Sequence, residues 1–255
     1  MKLFDTHAHI GLIHEDPIEQ LIIGQEARQA DVDHIISICN SLADFDYVYS
    51  NLETATHIYH SIGVSPSEVQ NPGIDWEMKI IEGTKMDRVV AVGEIGLDYH
   101  LMTEPKEKQK EIFVRQLEIA KSVGKPVVIH TRDATHDTLE ILKEYHEVKG
   151  IVHCYPGSYE SALEVMDNYY FGVGGVVTFK NSKKLKEAVE KIPMEKIIIE
   201  TDCPYLTPEP YRGKRNEPVY VEYVARKIAE IKGISYEEVV RISNENTKKA
   251  YGMVK

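Results

Sequence analysis

Cysteine is scarce: the chain has three, Cys39, Cys154 and Cys203. An odd, sparse count excludes a paired disulfide scaffold and points to a reducing, cytoplasmic setting. Long apolar runs are missing too. No stretch approaches the roughly 20 residues of a membrane-spanning helix, and the N-terminus has no basic-then-apolar signal peptide. A basic excess is also lacking, since 41 Asp and Glu outnumber 30 Lys and Arg for a formal net charge of −11. That excludes sequence-blind clamping of duplex nucleic acid through many phosphate contacts. A nucleic-acid substrate stays open, because bound cations add local positive charge outside that count. With no low-complexity tract, repeat or linker, residues 1–255 read as one domain. Folding such a chain removes about three quarters of its unfolded surface from water.

What is present is a recurring unit: a short apolar run, a turn, then an amphipathic stretch. Strands are expected at 3–5, 34–38, 58–64, 89–93, 127–130, 151–153, 169–173 and 196–200. Most are apolar throughout, as suits parallel strands covered on both faces. Helical stripes lie between them. One runs through Phe113, Leu117 and Ala120 and stops at Gly124-Lys125-Pro126. Another runs through Leu185, Ala188, Val189 and Ile192, with Ser182 as the expected cap. A third joins Phe45, Val48, Leu52 and Ala55. After Pro218 two more helices are expected, the second opened by a capping box from Ser235 to Glu238. Eight strands alternating with helices at about the 30-residue βαβ interval predict an α/β fold, a (β/α)8 TIM-type barrel of about 250 residues. A doubly wound sheet would favour a Gly-rich loop after the first strand, where this chain has Thr6-His7-Ala8-His9.

In such barrels chemistry sits at the C-terminal ends of the strands. Alternation puts His7 and His9 on one face of the first strand, together with Asp5. The fourth strand runs into Glu94, the fifth into His130, the sixth into His153 and the eighth into Asp202. A single histidine after an apolar run is most often a hydrogen-bonded core residue. Six nitrogen and oxygen donors at the same end of five strands point to metal. Six also exceed what one tetrahedral ion takes. The natural inference is two divalent ions, such as Mg, Mn or Zn, bridged by Glu94 and about 3.5–4 Å apart. Asp202 is the candidate general base for an attacking water.

These segments resemble the TatD-type metal-dependent deoxyribonucleases of the amidohydrolase superfamily. The resemblance is carried by Phe-Asp-Thr-His-Ala-His from Phe4, Gly-Glu-Ile-Gly-Leu-Asp-Tyr from Gly93 and Lys-Pro-Val-Val-Ile-His-Thr-Arg from Lys125. It continues with Gly-Ile-Val-His-Cys-Tyr from Gly150, Val-Thr-Phe-Lys-Asn from Val177, Glu-Thr-Asp-Cys-Pro-Tyr-Leu from Glu200 and Arg-Gly-Lys-Arg-Asn-Glu-Pro from Arg212. It implies that His7, His9, Glu94, His130, His153 and Asp202 ligate two divalent ions. It also implies 3′→5′ exonuclease cleavage of DNA, on single strands or frayed ends. No obligate protein partner is evident.

One position departs from the family pattern. Where the family carries Gly-x-His-Pro after the third strand, this chain reads Gly63-Val64-Ser65-Pro66. A serine can hydrogen-bond a phosphate but brings no charge near neutral pH. The alternative reading keeps the metal site and changes the bond, to an ester such as that of D-aminoacyl-tRNA. A non-enzymatic binding barrel is disfavoured by the complete ligand set. A phosphotriesterase-like or amidase activity is also disfavoured, since those relatives commonly bridge their metals with a carbamylated lysine, whereas the fourth strand here ends in Glu94.

Around the expected rim, Arg132 is a candidate for binding phosphate or supporting the ligands. Arg212, Lys214 and Arg215 are candidate phosphate contacts, as is Lys180, whereas Lys183, Lys184 and Lys186 read as a solvated helix face. Tyr155 and Tyr205 could stack on a base or pack against the rim. Asp98 and His100 are expected to support the ligands. Strand alternation aims Cys154 away from the interior, and Trp76 reads as core.

Overall fold

The computed structural model describes residues 2–100 and 104–253. Eight parallel strands follow one another around the sheet in chain order: β1 (Leu3–Ala8), β2 (Val32–Ser37), β3 (Ile58–Ile62), β4 (Val89–Asp98), β5 (Val127–Arg132), β6 (Gly150–Val152), β7 (Tyr169–Val173) and β8 (Ile197–Ile199). Each β-to-β connection carries helix, which is what a parallel neighbour requires, since the chain must return to the starting end. Helices Val221–Lys232 and Tyr236–Ala250 follow β8. The TIM-type barrel expected from the spacing is the observed fold.

Alternation sorts the apolar residues into two layers. Ile36, Val90, Val128, Ile151 and Ile198 form one buried cluster with Ala250 and Tyr251 from the end of the chain. Among the described residues, no helix between the strands contributes a buried residue to it, so it fills the barrel. Tyr251 closes the far end, its hydroxyl donating to Thr6 O at 3.2 Å. The neighbours in sequence, Ile35, Val89, Ile129, Val152 and Ile199, belong to the outer layer with helix residues such as Phe113 and Leu117. Burying each such side chain contributes about 1.5–3 kcal/mol.

The seam between β8 and β1 has little ladder and closes largely through side chains. Ala8 and Cys203 make an isolated parallel bridge. His9 N–H donates to Cys203 O, and Asp202 N–H to His7 O, both at 2.9 Å. The Thr6 hydroxyl donates to Ile199 O at 2.9 Å.

Several local expectations shift. β1 continues to Ala8 and β4 to Asp98, past the points where their apolar runs break. Pairing carries β4 on: Ile95, Gly96 and Leu97 partner Ile129, His130 and Thr131 after a register shift. Ser182 occupies the cap position of helix Lys183–Lys191 without a side-chain cap bond; its hydroxyl donates to Phe179 O instead. Ser235 does cap, accepting from Glu238 N–H at 3.1 Å. The third stripe's helix ends at Asn51, leaving Leu52 and Ala55 buried in the turn that follows. Trp76 packs only partly buried against the core. Among the described residues, no helix is long and apolar enough to cross a membrane.

Candidate metal centre

The six residues singled out at strand ends converge at one mouth of the barrel. His7 is presented by β1 and Glu94 by β4, while His130 is on β5. His9, His153 and Asp202 stand just beyond β1, β6 and β8. Glu94 is central. Its Oε1 lies 2.7 Å from His130 Nδ1 and 2.8 Å from His153 Nε2. Its Oε2 lies 3.8 Å from His7 Nε2 and 3.7 Å from His9 Nε2. Asp202 Oδ1 faces the second pair, 3.7 Å from His7 Nε2 and 3.4 Å from His9 Nε2.

Local backbone makes this convergence possible. Gly93 lies flat against β5, where a Cβ would meet Val128 O at 2.9 Å. Glu94 follows directly, at the register shift, and turns into the mouth. Asp202 takes a left-handed φ of 59°, a conformation that costs a non-glycine residue about 1 kcal/mol or more and is typical of functional sites. The backbone bond to His7 O anchors it there.

His7, His9, Glu94, His153 and Asp202 are all buried. Burial drives the His7 pKa well below the ordinary histidine value, so its ring is neutral and offers a lone pair. Burial disfavours charge on Glu94, yet the adjacent His153 and His130 outweigh it and hold the carboxyl well below its usual range. His130 is turned by Asp98, whose Oδ2 sits 3.0 Å from Nε2 and leaves Nδ1 toward Glu94. His100 does not reach the cluster; it is exposed and bonded to Asp133 at 2.8 Å.

The donor set fits divalent cations. Neighbouring ring nitrogens approach closely, His7 and His9 Nε2 at 3.2 Å and His130 Nδ1 and His153 Nε2 at 3.1 Å. Among the described residues no lysine or arginine forms an ion pair with Glu94 or Asp202, whose charged partners are all imidazoles. Two buried carboxylates among imidazoles need compensating positive charge, which bound cations would supply. His7, His9 and Glu94, and Glu94, His130 and His153, each offer donor atoms within 4.8 Å of one another.

A cavity of about 810 Å³ opens over this cluster. Its walls hold Arg132, Asn181, Lys184 and Tyr205. Lys184, read from sequence as part of a solvated face, is therefore at the cavity, whereas Lys180 is not among the lining residues. Arg212 stacks on Phe179 at 3.9 Å, and Arg215 bonds Ile13 O and Glu217; neither lines the cavity. Tyr155 is buried, edge-on to Phe171, with its hydroxyl donating to Ser158 O at 2.7 Å. Tyr205 is half exposed near His9 and stays available. Ser65 lines the cavity and shares a 2.9 Å bond with Ser67.

Against the expectation from strand alternation, Cys154 lines the cavity rather than facing away from it. β6 ends at Val152, and Cys154 has a left-handed φ of 41°, so strand alternation does not reach it. Sequence reasoning also passed over Glu200. Its side chain is buried behind His153 and accepts Cys154 N–H at 2.5 Å. The available signal is a carboxylate two residues before Asp202, directly after β8.

The family model for TatD related DNase matches residues 4–252. The chain is 44% identical to the metal-dependent hydrolase YabD of Bacillus subtilis over 98% of each chain. It is 30% identical to the human deoxyribonuclease TATDN3, over 98% of this chain and 94% of that one. The crystal structure of YJJV, a TatD homologue from Escherichia coli K12, superposes with a TM-score of 0.90 at 26% identity over 98% of each chain. With the barrel and its histidine–carboxylate mouth, these matches mean that the chain belongs to the TatD family of metal-dependent hydrolases.

Proposed function

We propose that His7, His9, Glu94, His130, His153 and Asp202 hold two divalent ions, and that the site hydrolyses DNA phosphodiesters as a 3′→5′ exodeoxyribonuclease acting on single strands or frayed ends. The observation that carries this reading is the disposition of Glu94, whose two oxygens each face a different pair of imidazoles. One carboxylate flanked in that way is suited to bridging two cations. The human relative named a deoxyribonuclease supports DNA as the substrate.

Bound divalent ions supply Lewis acidity toward phosphoryl oxygens and a potent nucleophile at neutral pH. The protein's own groups do the rest. Asp202 takes the proton of the attacking water. Arg132 and Lys184, on the cavity wall, hold phosphate oxygens flanking the cleaved bond. Tyr205 offers its exposed ring to a terminal base, a contact that tolerates any sequence. The enclosing rim limits water around the reacting phosphate and strengthens each of these interactions.

A second reading rests on Ser65. At the position of the family's histidine stands a neutral hydroxyl bonded to Ser67, which favours a less charged scissile group, such as the ester of D-aminoacyl-tRNA. Purified protein loaded with Mg, Mn or Zn is assayed on single-stranded, 3′-recessed and blunt DNA and on D-aminoacyl-tRNA, beside Asp202→Asn. Stepwise 3′ shortening that depends on Asp202 supports the nuclease. Ester release that outpaces DNA cleavage supports the second reading, and absence of both refutes a hydrolytic role at this site on either bond.

A further inference from the structure

Behind the metal-facing side of the cluster lies a second set of polar atoms that the proposed chemistry leaves unused. The rings of His7 and His153 stack nearly parallel, centroids 3.9 Å apart and planes 12° from one another. Both direct Nε2 to Glu94. Their Nδ1 atoms are buried and have no hydrogen-bond partner among the described residues. Glu200, fully buried, stands on this hidden side. Its Oε1 is 3.7 Å from His153 Nδ1, and its Oε2 is likewise buried without a partner. His7, His153 and Glu200 each place a donor atom within 4.8 Å of the other two.

Room for this carboxylate is built into the neighbouring strand. A Cβ on Gly172 would meet Glu200 Oε2 at 2.2 Å and Cδ at 2.7 Å, so any larger residue there would displace the group. The other contact, Cys154 N–H to Oε1 at 2.5 Å, fixes the carboxylate's height beneath His153. A buried carboxylate needs donors, and two buried Nδ1 atoms need acceptors or must donate. One arrangement of protons matches donors to acceptor across these separations: each imidazole carries its proton on Nδ1, toward Glu200. A third cation there would compete for nitrogens whose rings are already committed through Nε2, so the donor roles favour protons over metal.

We propose that Glu200 is a positioning residue shared by His153 and His7, holding both imidazoles with Nδ1–H toward its carboxylate and the Nε2 lone pair toward the metal centre. The link to metal rests on the ligand set proposed above. The proton placement does not, and is tested separately. Such backing partners fix ring orientation and raise ligand basicity, and losing one weakens metal binding about 10- to 100-fold.

The experiment uses the full chain with ¹⁵N-labelled histidine, metal-free, as wild type, Glu200→Gln and Gly172→Ala. The expected wild-type spectrum shows slowly exchanging, downfield Nδ1–H protons on His153 and His7. In Glu200→Gln, which keeps an acceptor for Cys154 N–H but presents an amide donor to the rings, these protons move upfield or exchange away. Gly172→Ala leaves Glu200 in the sequence, displaces its carboxylate and changes the same signals. Zinc affinity, measured by chelator competition, falls about 10- to 100-fold in both variants. An unprotonated Nδ1 on His153 in the wild type overturns the proposal, even if neither variant folds. So does zinc affinity unchanged in both variants. If wild-type protein binds no zinc, the metal-centre reading fails, and Glu200 stands or falls on the spectrum.

Discussion

Asp5 and Thr201 are bonded across the barrel seam although 196 positions separate them: Asp5 Oδ1 accepts the Thr201 backbone N–H at 2.8 Å and Oδ2 pairs with its hydroxyl at 2.6 Å. The bond joins the strand that delivers His7 to the segment that delivers Asp202. With so little ladder between β8 and β1, it is a principal tie at this closure. Asp5→Ala takes the acceptor from the buried Thr201 and His7 N–H groups and leaves the Thr201 hydroxyl only His7 O at 3.4 Å, and is expected to destabilise the protein by about 3 kcal/mol. Thr201→Val, which removes only the hydroxyl, is expected to cost about 1 kcal/mol. Urea midpoints measure both; equal midpoints for wild type and Asp5→Ala would show that the seam is held by other contacts.

Asp202→Asn keeps the shape of the side chain but cannot take a proton from water. Turnover on the preferred substrate is expected to fall about 100-fold or more, with metal content largely retained by the remaining donors. Elemental analysis beside single-turnover kinetics separates the two effects. Loss of metal in step with loss of rate would reduce Asp202 to a ligand.

Chelation is expected to lower thermal stability, because buried carboxylates are then left among imidazoles. A ligand held at 100 times its dissociation constant stabilises by about 2.7 kcal/mol, so melting should shift down with EDTA and recover on adding Mn or Zn. A melting temperature indifferent to both would contradict a preformed ion site.

Phosphate contact is expected from Arg132 and Lys184 and not from Arg212, which stacks on Phe179 away from the cavity. Arg132→Ala and Lys184→Ala should raise KM for a DNA substrate about 10-fold each with a smaller effect on kcat, and should flatten its salt dependence. Arg212→Ala is the control that should leave all three unchanged.

His60 supplies a pH dependence away from the mouth. It is buried beside Tyr49 with Nε2 unpartnered, and burial, helped by Arg88, pushes its pKa down to about 3. The folded protein therefore resists protonating a ring that the unfolded chain protonates near pH 6.5. Its contribution is intact above that pH and is lost as pH falls toward about 3, by about 1.4 kcal/mol per pH unit. His60→Phe should lose less stability on acidification than wild type over that window, read as the difference between their denaturant midpoints. Parallel curves would mean that His60 is protonated in the native state.

Much of the barrel was legible from the chain alone. Strands such as Tyr169–Val173 are short apolar runs bounded by polar turns, and burial on both faces leaves that imprint locally. Strand ends were harder. β4 runs through Glu94 to Asp98 because its backbone pairs with β5 whatever its side chains, while the reading of the sequence stopped where polarity began.

The sequence by itself determined the order of strands and the donors that meet at one mouth, because ligand type and strand position are local properties and a parallel barrel puts every strand's C-terminal end on one rim. Only the tertiary structure decided which Glu94 oxygen faces which imidazoles, that His130 turns Nδ1 inward while His153 turns Nε2, that Cys154 reaches the cavity, and that Glu200 lies behind two stacked rings in space left by Gly172. Those outcomes depend on side-chain rotation and on approaches between strands distant along the chain, and no spacing along a sequence encodes either.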